Sequence, residues 1–186
     1  MAKSQPSEVI RQHFHDFFTG HARAEHVWTL GRILEELPQF RVVEFAPGPK
    51  TNLWVYATIG AWEACDDPRL EFVIAAPEQD QRHVELLSMS AWYHGDRKLG
   101  TGHTFPIGEP WLPRSACAYF LVSQPYPFGP DLEVCNFPGG HVHVVWLLPI
   151  TAAERDFKVR EGLEALEQRF DACGLEYWVP GRDSAV

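Results

Sequence analysis

The apolar residues change period along this chain, and the change fixes which layers can form. From Phe40 onward the alternation is by two: Arg41–Phe45 reads as a strand, residues 46–50 as a turn, and residues 52–59 as the next strand, so an antiparallel hairpin is expected. Leu70–Ala76 gives a third strand, stopped by Pro77, and residues 119–122 and 142–147 supply two later ones. Residues 125–130 carry too much proline for a central strand and are expected at an edge or over the surface.

Helical spacing occurs in separate blocks. Val9, Ile10, His13, Phe14, Phe17 and Phe18 predict a helix over 7–19, closed by Gly20. A shorter pattern through Trp28, Leu30, Ile33, Leu34 and Leu37 ends at Pro38, and the two pieces together are expected to cover one sheet face. Val84, Leu86, Leu87, Ala91 and Trp92 mark a third helix. Thr151 and Glu154 have the spacing of a capping box, and Val159, Leu163, Leu166, Phe170 and Cys173 then read as one stripe on a final helix ending at Gly174. Because strand and helix blocks are segregated, the expected fold class is α+β: a mixed, mainly antiparallel sheet with helices packed against it. No repeat or low-complexity linker divides residues 1–186, which are read as one domain.

A chain of 186 residues with 45% apolar and 22% charged side chains can bury a core of its own and lies outside the disordered range. Its formal net charge of -9 repels phosphate backbones and anionic lipid, and would draw in a basic protein instead. Cys65, Cys117, Cys135 and Cys173 form no C-x-x-C pair and are read as four reduced thiols in apolar surroundings. The opening Met1-Ala2-Lys3-Ser4 leads into polar sequence, and the apolar run Val144 to Leu148 is far short of a membrane span, so a soluble cytoplasmic protein is expected.

Reactive chemistry is sparse. His141 and His143, two apart on a strand, project to one face and are the best start of a metal site, but no H-E-x-x-H or Cys/His pair supplies further ligands. His83, His94 and His103 lie near Asp80, Glu85 and Asp96 only in sequence, Ser88-Met89-Ser90 lacks a nucleophile elbow, and Gly100-Thr101-Gly102 is too short to cradle a phosphate. Neither a cofactor nor a catalytic set is assigned. Of the 7 Trp, 12 Phe and 5 Tyr, most belong to a core, Trp54, Phe72 and Trp146 among them. Trp62, Trp111, Tyr126 and Phe128 stand beside Gly and Pro in expected loops, where rigid aromatics serve protein contacts, and Asp131 and Glu133 add charge next to two of them.

Two stretches go further. Pro125-Tyr126-Pro127-Phe128-Gly129-Pro130-Asp131-Leu132-Glu133, and Phe137-Pro138-Gly139-Gly140-His141-Val142-His143-Val144-Val145-Trp146-Leu147-Leu148-Pro149-Ile150-Thr151 running on to Glu154 and Phe157, resemble the Suppressor of fused (SUFU) domain. The similarity continues through residues 162–167 and, more loosely, spans about 25–178. It implies an α/β sandwich-like domain without a catalytic centre, used to hold another protein. Animal members sequester a transcription factor, and bacterial relatives resemble immunity proteins that neutralise a partner toxin. This chain lacks the extra C-terminal domain of the animal proteins, which makes the bacterial role the closer analogy. The expectation is thus a non-catalytic immunity-type domain that grips another protein, a basic toxin domain, with Trp62, Trp111, Tyr126, Phe128, Asp131 and Glu133. The alternatives are a metal-assisted hydrolase centred on His141 and His143, and a regulatory adaptor sequestering a nontoxic client.

Overall fold

The computed structural model describes residues 5–186, so the opening Met1–Ser4, read above for a leader, lies outside the described residues. In chain order the elements are α1 (Pro6–Phe17), β1 (Arg23–His26), α2 (Ile33–Glu36), β2 (Arg41–Phe45), β3 (Trp54–Ile59), a 3₁₀ turn (Ala61–Ala64) and β4 (Leu70–Ala76). They continue with α3 (Arg82–Arg97), β5 (Thr104–Pro106), β6 (Cys117–Ser123), α4 (Pro130–Glu133), β7 (Val134–Phe137), β8 (Gly140–Thr151), α5 (Ala152–Glu161) and α6 (Leu163–Cys173).

One eight-stranded sheet runs β1-β2-β3-β4-β8-β6-β5, with β7 also paired to β8. The expected hairpin is β2 and β3, antiparallel with Val43 opposite Ala57. The one parallel pair among the described strands joins β4 to β8, with Phe72 opposite Val145. The first residues of β8 pair with β7 and the last with β6, so the 12-residue strand forms the spine of the sheet.

Both faces are covered, which is why every residue of β4 is buried. On one side Val42, Tyr56, Phe72, Ile74, Val145 and Leu147 meet α3 through Val84, Leu87 and Ala91, with Ile33 and Leu37 from the α2 region. On the other, Val43, Phe45, Val55, Val73, Val144 and Trp146 meet Ile10, Phe14 and Phe18 of the α1 region and Leu166 and Phe170 of α6. The expectation that the first two helical pieces share a face is therefore wrong: the turn of chain through β1 crosses the sheet edge between them. Residues 28–37 also form only the four-residue α2, because Gly31 takes a positive φ of 77° inside the stretch.

The capping box forms as expected: Thr151 Oγ1 accepts from Glu154 N–H at 3.2 Å, and Glu154 Oε2 accepts from Thr151 N–H at 2.8 Å. The single final helix does not. Gly162, at φ 95° and ψ 168°, breaks it into α5 and α6, and Val159 is 71% exposed rather than part of the apolar stripe. Cys173 is exposed, against the expectation of an apolar setting, whereas Cys65, Cys117 and Cys135 are buried free thiols. Thr151→Ala is expected to lower the unfolding free energy by about 1 kcal/mol, read as a shift of the urea midpoint at unchanged slope.

Candidate functional site

The segment that follows β6 is preset by its own composition. Prolines 125, 127 and 130 hold φ near one value, and the turn closes through Tyr126 N–H to Gln124 O at 2.8 Å and Phe128 N–H to Pro125 O at 2.8 Å. Gly129 sits at φ 77°, where a side chain would be strained, and Pro130 then opens α4 at a position needing no amide donor. Leu132 is buried under α1, and its carbonyl lies 3.1 Å from His13 Nε2. Phe128 turns inward edge-on to Phe17 and Phe18, with ring centroids 6.2 and 5.4 Å apart. Tyr126 projects outward and is 58% exposed. Partial burial and then the charges of Glu167, Glu133 and Asp171 raise its phenol above the ordinary value, so the turn stands in a negative field.

Beneath Tyr126 a concavity of about 700 Å³ opens between β6, β8, α6 and the tail beyond Gly174. Two pairs of its aromatic walls meet edge to face: Tyr177 meets Trp146 at 4.7 Å and 76°, and Trp178 meets Tyr177 at 4.8 Å and 85°. Glu167 and Asp171 line it from α6. Burial, then the charge of Asp171, pushes the Glu167 carboxyl up. Trp146 is 4% exposed and its indole Nε1 has no hydrogen-bond partner.

The model of the Suppressor of fused protein (SUFU) family matches residues 36–183, and so reaches from the sheet to the tail that walls this groove. The chain belongs to the SUFU family. A crystal structure of a SUFU homolog from Neisseria gonorrhoeae is 36% identical, covers 97% of this chain and 96% of its own, and superposes with a TM-score of 0.86. A chain of the Sufu-Fu complex crystal structure is 14% identical over 98% of this chain and 93% of that one, with a TM-score of 0.71. Drosophila Suppressor of Fused is 15% identical with a TM-score of 0.72; 99% of this chain is covered but only 52% of the Drosophila chain, so this SUFU domain spans about half of it. The last two likenesses are of fold alone. No curated protein matches significantly.

The other residues singled out in the sequence do not line this groove of the SUFU domain. Trp111 is no surface anchor: it is 1% exposed, its ring 5.8 Å from that of His83, because the proline-bracketed loop folds its side chain into the α3 layer. Trp62 is half-buried on the 3₁₀ turn, with Phe137 at 5.6 Å and the Arg69 guanidinium 5.5 Å over its ring. Asp131 is exposed and Glu133 half-buried, both on α4 below Tyr126. His141 and His143 share a face as expected, with centroids 5.0 Å apart, in a small depression with Asp66, Asp67 and Arg69. Among the described residues no three His, Cys, Asp or Glu side chains are placed to hold a metal ion, so the pair lacks the third ligand a zinc site needs. Asp171, Tyr177 and Trp178 carry no motif, and Glu167 lies in the SUFU-like stretch 162–167 with nothing there to mark it as a site residue. The signal present was two adjacent aromatics, Tyr177 and Trp178, just past the cap residue Gly174.

Proposed function

We propose that this SUFU domain is a non-catalytic protein-binding domain of the immunity type, which holds and neutralises a basic toxin domain in the cytoplasm. The observation that carries the reading is the uncompensated acidic field around Tyr126. Glu133, Glu167 and Asp171 converge there, and among the described residues none of them has a Lys, Arg or His nitrogen within 4 Å. In a chain of net charge -9 such a field steers a cationic partner and repels nucleic acid. Family membership supports the same reading, since one structural relative is a component of a Sufu-Fu complex.

Co-expression with the product of the adjacent gene tests it. The expected result is a complex that survives gel filtration at low salt, weakens as salt rises, and restores growth to cells producing the partner. Neither complex nor rescue would sink the reading. A complex whose partner is harmless when produced alone would instead select the regulatory adaptor, a sequestering role for a nontoxic client.

A further inference from the structure

The groove beneath Tyr126 has the features of a site built for one kind of side chain. Glu167 and Asp171 are four apart on α6, so they lie one turn above each other and repel, at a cost of a few tenths of a kcal/mol. Among the described residues no Lys, Arg or His nitrogen lies within 4 Å of either carboxylate to offset that cost, and Tyr126 and Trp178, the exposed aromatics at the same opening, are 58% and 37% accessible. Carboxylates beside exposed aromatic rings select a flat cation that can stack and donate at once. Trp146, 4% exposed, forms the apolar floor against which the stem of such a side chain packs. The volume, about 700 Å³, also exceeds a lone guanidinium and suits a side chain with its flanking backbone.

We propose that this groove receives an arginine side chain of a partner polypeptide, with the guanidinium between Tyr126 and Trp178, paired to Glu167 and Asp171, and the stem of the side chain over Trp146. Arginine is favoured over lysine because its planar fork stacks on the rings while donating to two carboxylates, which a compact ammonium does not. The inference rests on the reading of the domain as a protein binder and adds where on it the partner's charge is read.

The test is a titration of the intact protein with blocked pentapeptides, glycine throughout except for a central arginine, lysine or citrulline, followed through the indole N–H resonances. The arginine peptide is expected to shift the Trp146 and Trp178 signals at millimolar concentration, with citrulline about ten-fold weaker. The double variant Glu167→Gln/Asp171→Asn is expected to lose about ten-fold in affinity for the arginine peptide while melting no lower than the parent, because a repulsion has been removed. No shift at these two indoles, equal binding of citrulline, or undiminished binding by the double variant overturns the proposal, and blocked arginine alone binding as tightly as the peptide reduces the site to one for a small organic cation. The co-expressed partner separates the two levels of the argument. A partner retained undiminished by the double variant defeats the groove and leaves the protein-binding reading standing, whereas a partner that fails to bind the parent protein defeats that reading itself.

Discussion

Replacing Arg182 with methionine is expected to lower the unfolding free energy by about 3–5 kcal/mol and the melting temperature by roughly 10 °C. Glu154 has no exposed surface, and the Arg182 side chain is almost fully buried against it. The guanidinium grips the carboxylate with both ends, Nη1 to Oε1 at 2.6 Å and Nη2 to Oε2 at 2.8 Å, and Nη2 also donates to Pro149 O at 3.1 Å. Ala185 N–H adds a donor to Oε1 at 2.9 Å. Burial alone would raise the Glu154 carboxyl, but donation from Arg182, Ala185 and Thr151, with the Arg182 charge, outweighs it and holds the group below its usual range. A carboxylate depressed in the folded state stabilises above its ordinary pKa of 4.5, and that contribution is lost as pH falls through the folded value. The Arg182→Met deficit should therefore be large in urea unfolding at neutral pH and shrink in acid, where the orphaned carboxyl can take a proton. A deficit under about 1 kcal/mol at neutral pH, or one that does not shrink in acid, would show that the pair is not the anchor described here. The same clamp fastens residues 182–185 to the junction of β8 and α5, so the tail carrying Tyr177 and Trp178 is fixed at both ends. Loosening it should also weaken whatever the groove holds.

What the sequence made legible follows from range. β2, β3, β4 and β8 declare themselves because each carries its own apolar pattern, and the α5 cap is legible because both of its partners lie within four residues. β1, β5 and β7 are short strands recruited by neighbours; Arg23–His26 is exposed or half-exposed throughout and has no pattern of its own to read. Pro149 lies within β8, opposite Phe120, where proline would ordinarily end a strand. It is tolerated because beyond Trp146 the strand has lost β4 as a neighbour and pairs on one side only. Proline and aromatic content identified the segment carrying Tyr126, but it could not distinguish Tyr126, which points out, from Phe128 and Trp111, which point in. That distinction depends on which core lies beneath each loop. The groove is less legible still, since Tyr126, Trp146, Glu167 and Trp178 come from four different segments and meet only after the sheet has formed.

Glu71→Gln is expected to cost about 1–3 kcal/mol at pH 5.5 and to close the gap to the parent protein above pH 8, because the parent's own stability should fall as pH rises. Glu71 is fully buried in β4 and accepts from Thr58 Oγ1, from Gly60 N–H at 2.8 Å and from Ala61 N–H at 3.3 Å, fastening the turn after β3. Gly60 takes φ 95° there, and a Cβ would come within 3.3 Å of Phe40 Cα, so the turn has no slack. Burial pushes the Glu71 carboxyl from 4.5 up to about 8, against the pull of these donors. A group raised on folding contributes stability that is complete below its unfolded pKa and is lost up to its folded one, at roughly 1.4 kcal/mol per pH unit. His83 has the opposite sign: burial against Tyr56 and Trp111 lowers it from 6.5 to about 4. Its contribution is present above 6.5 and lost as pH falls toward 4. Between 4.5 and 6.5 the two slopes oppose each other, and from 6.5 to 8 the Glu71 slope runs without that opposition, costing roughly 2 kcal/mol. Urea unfolding across this range should show the parent and Glu71→Gln converging on the alkaline side, and His83→Phe converging with the parent on the acid side. A gap between parent and Glu71→Gln that stays constant from pH 5.5 to 8.5 would mean that Glu71 is already ionised in the folded protein, its donors having overcome burial.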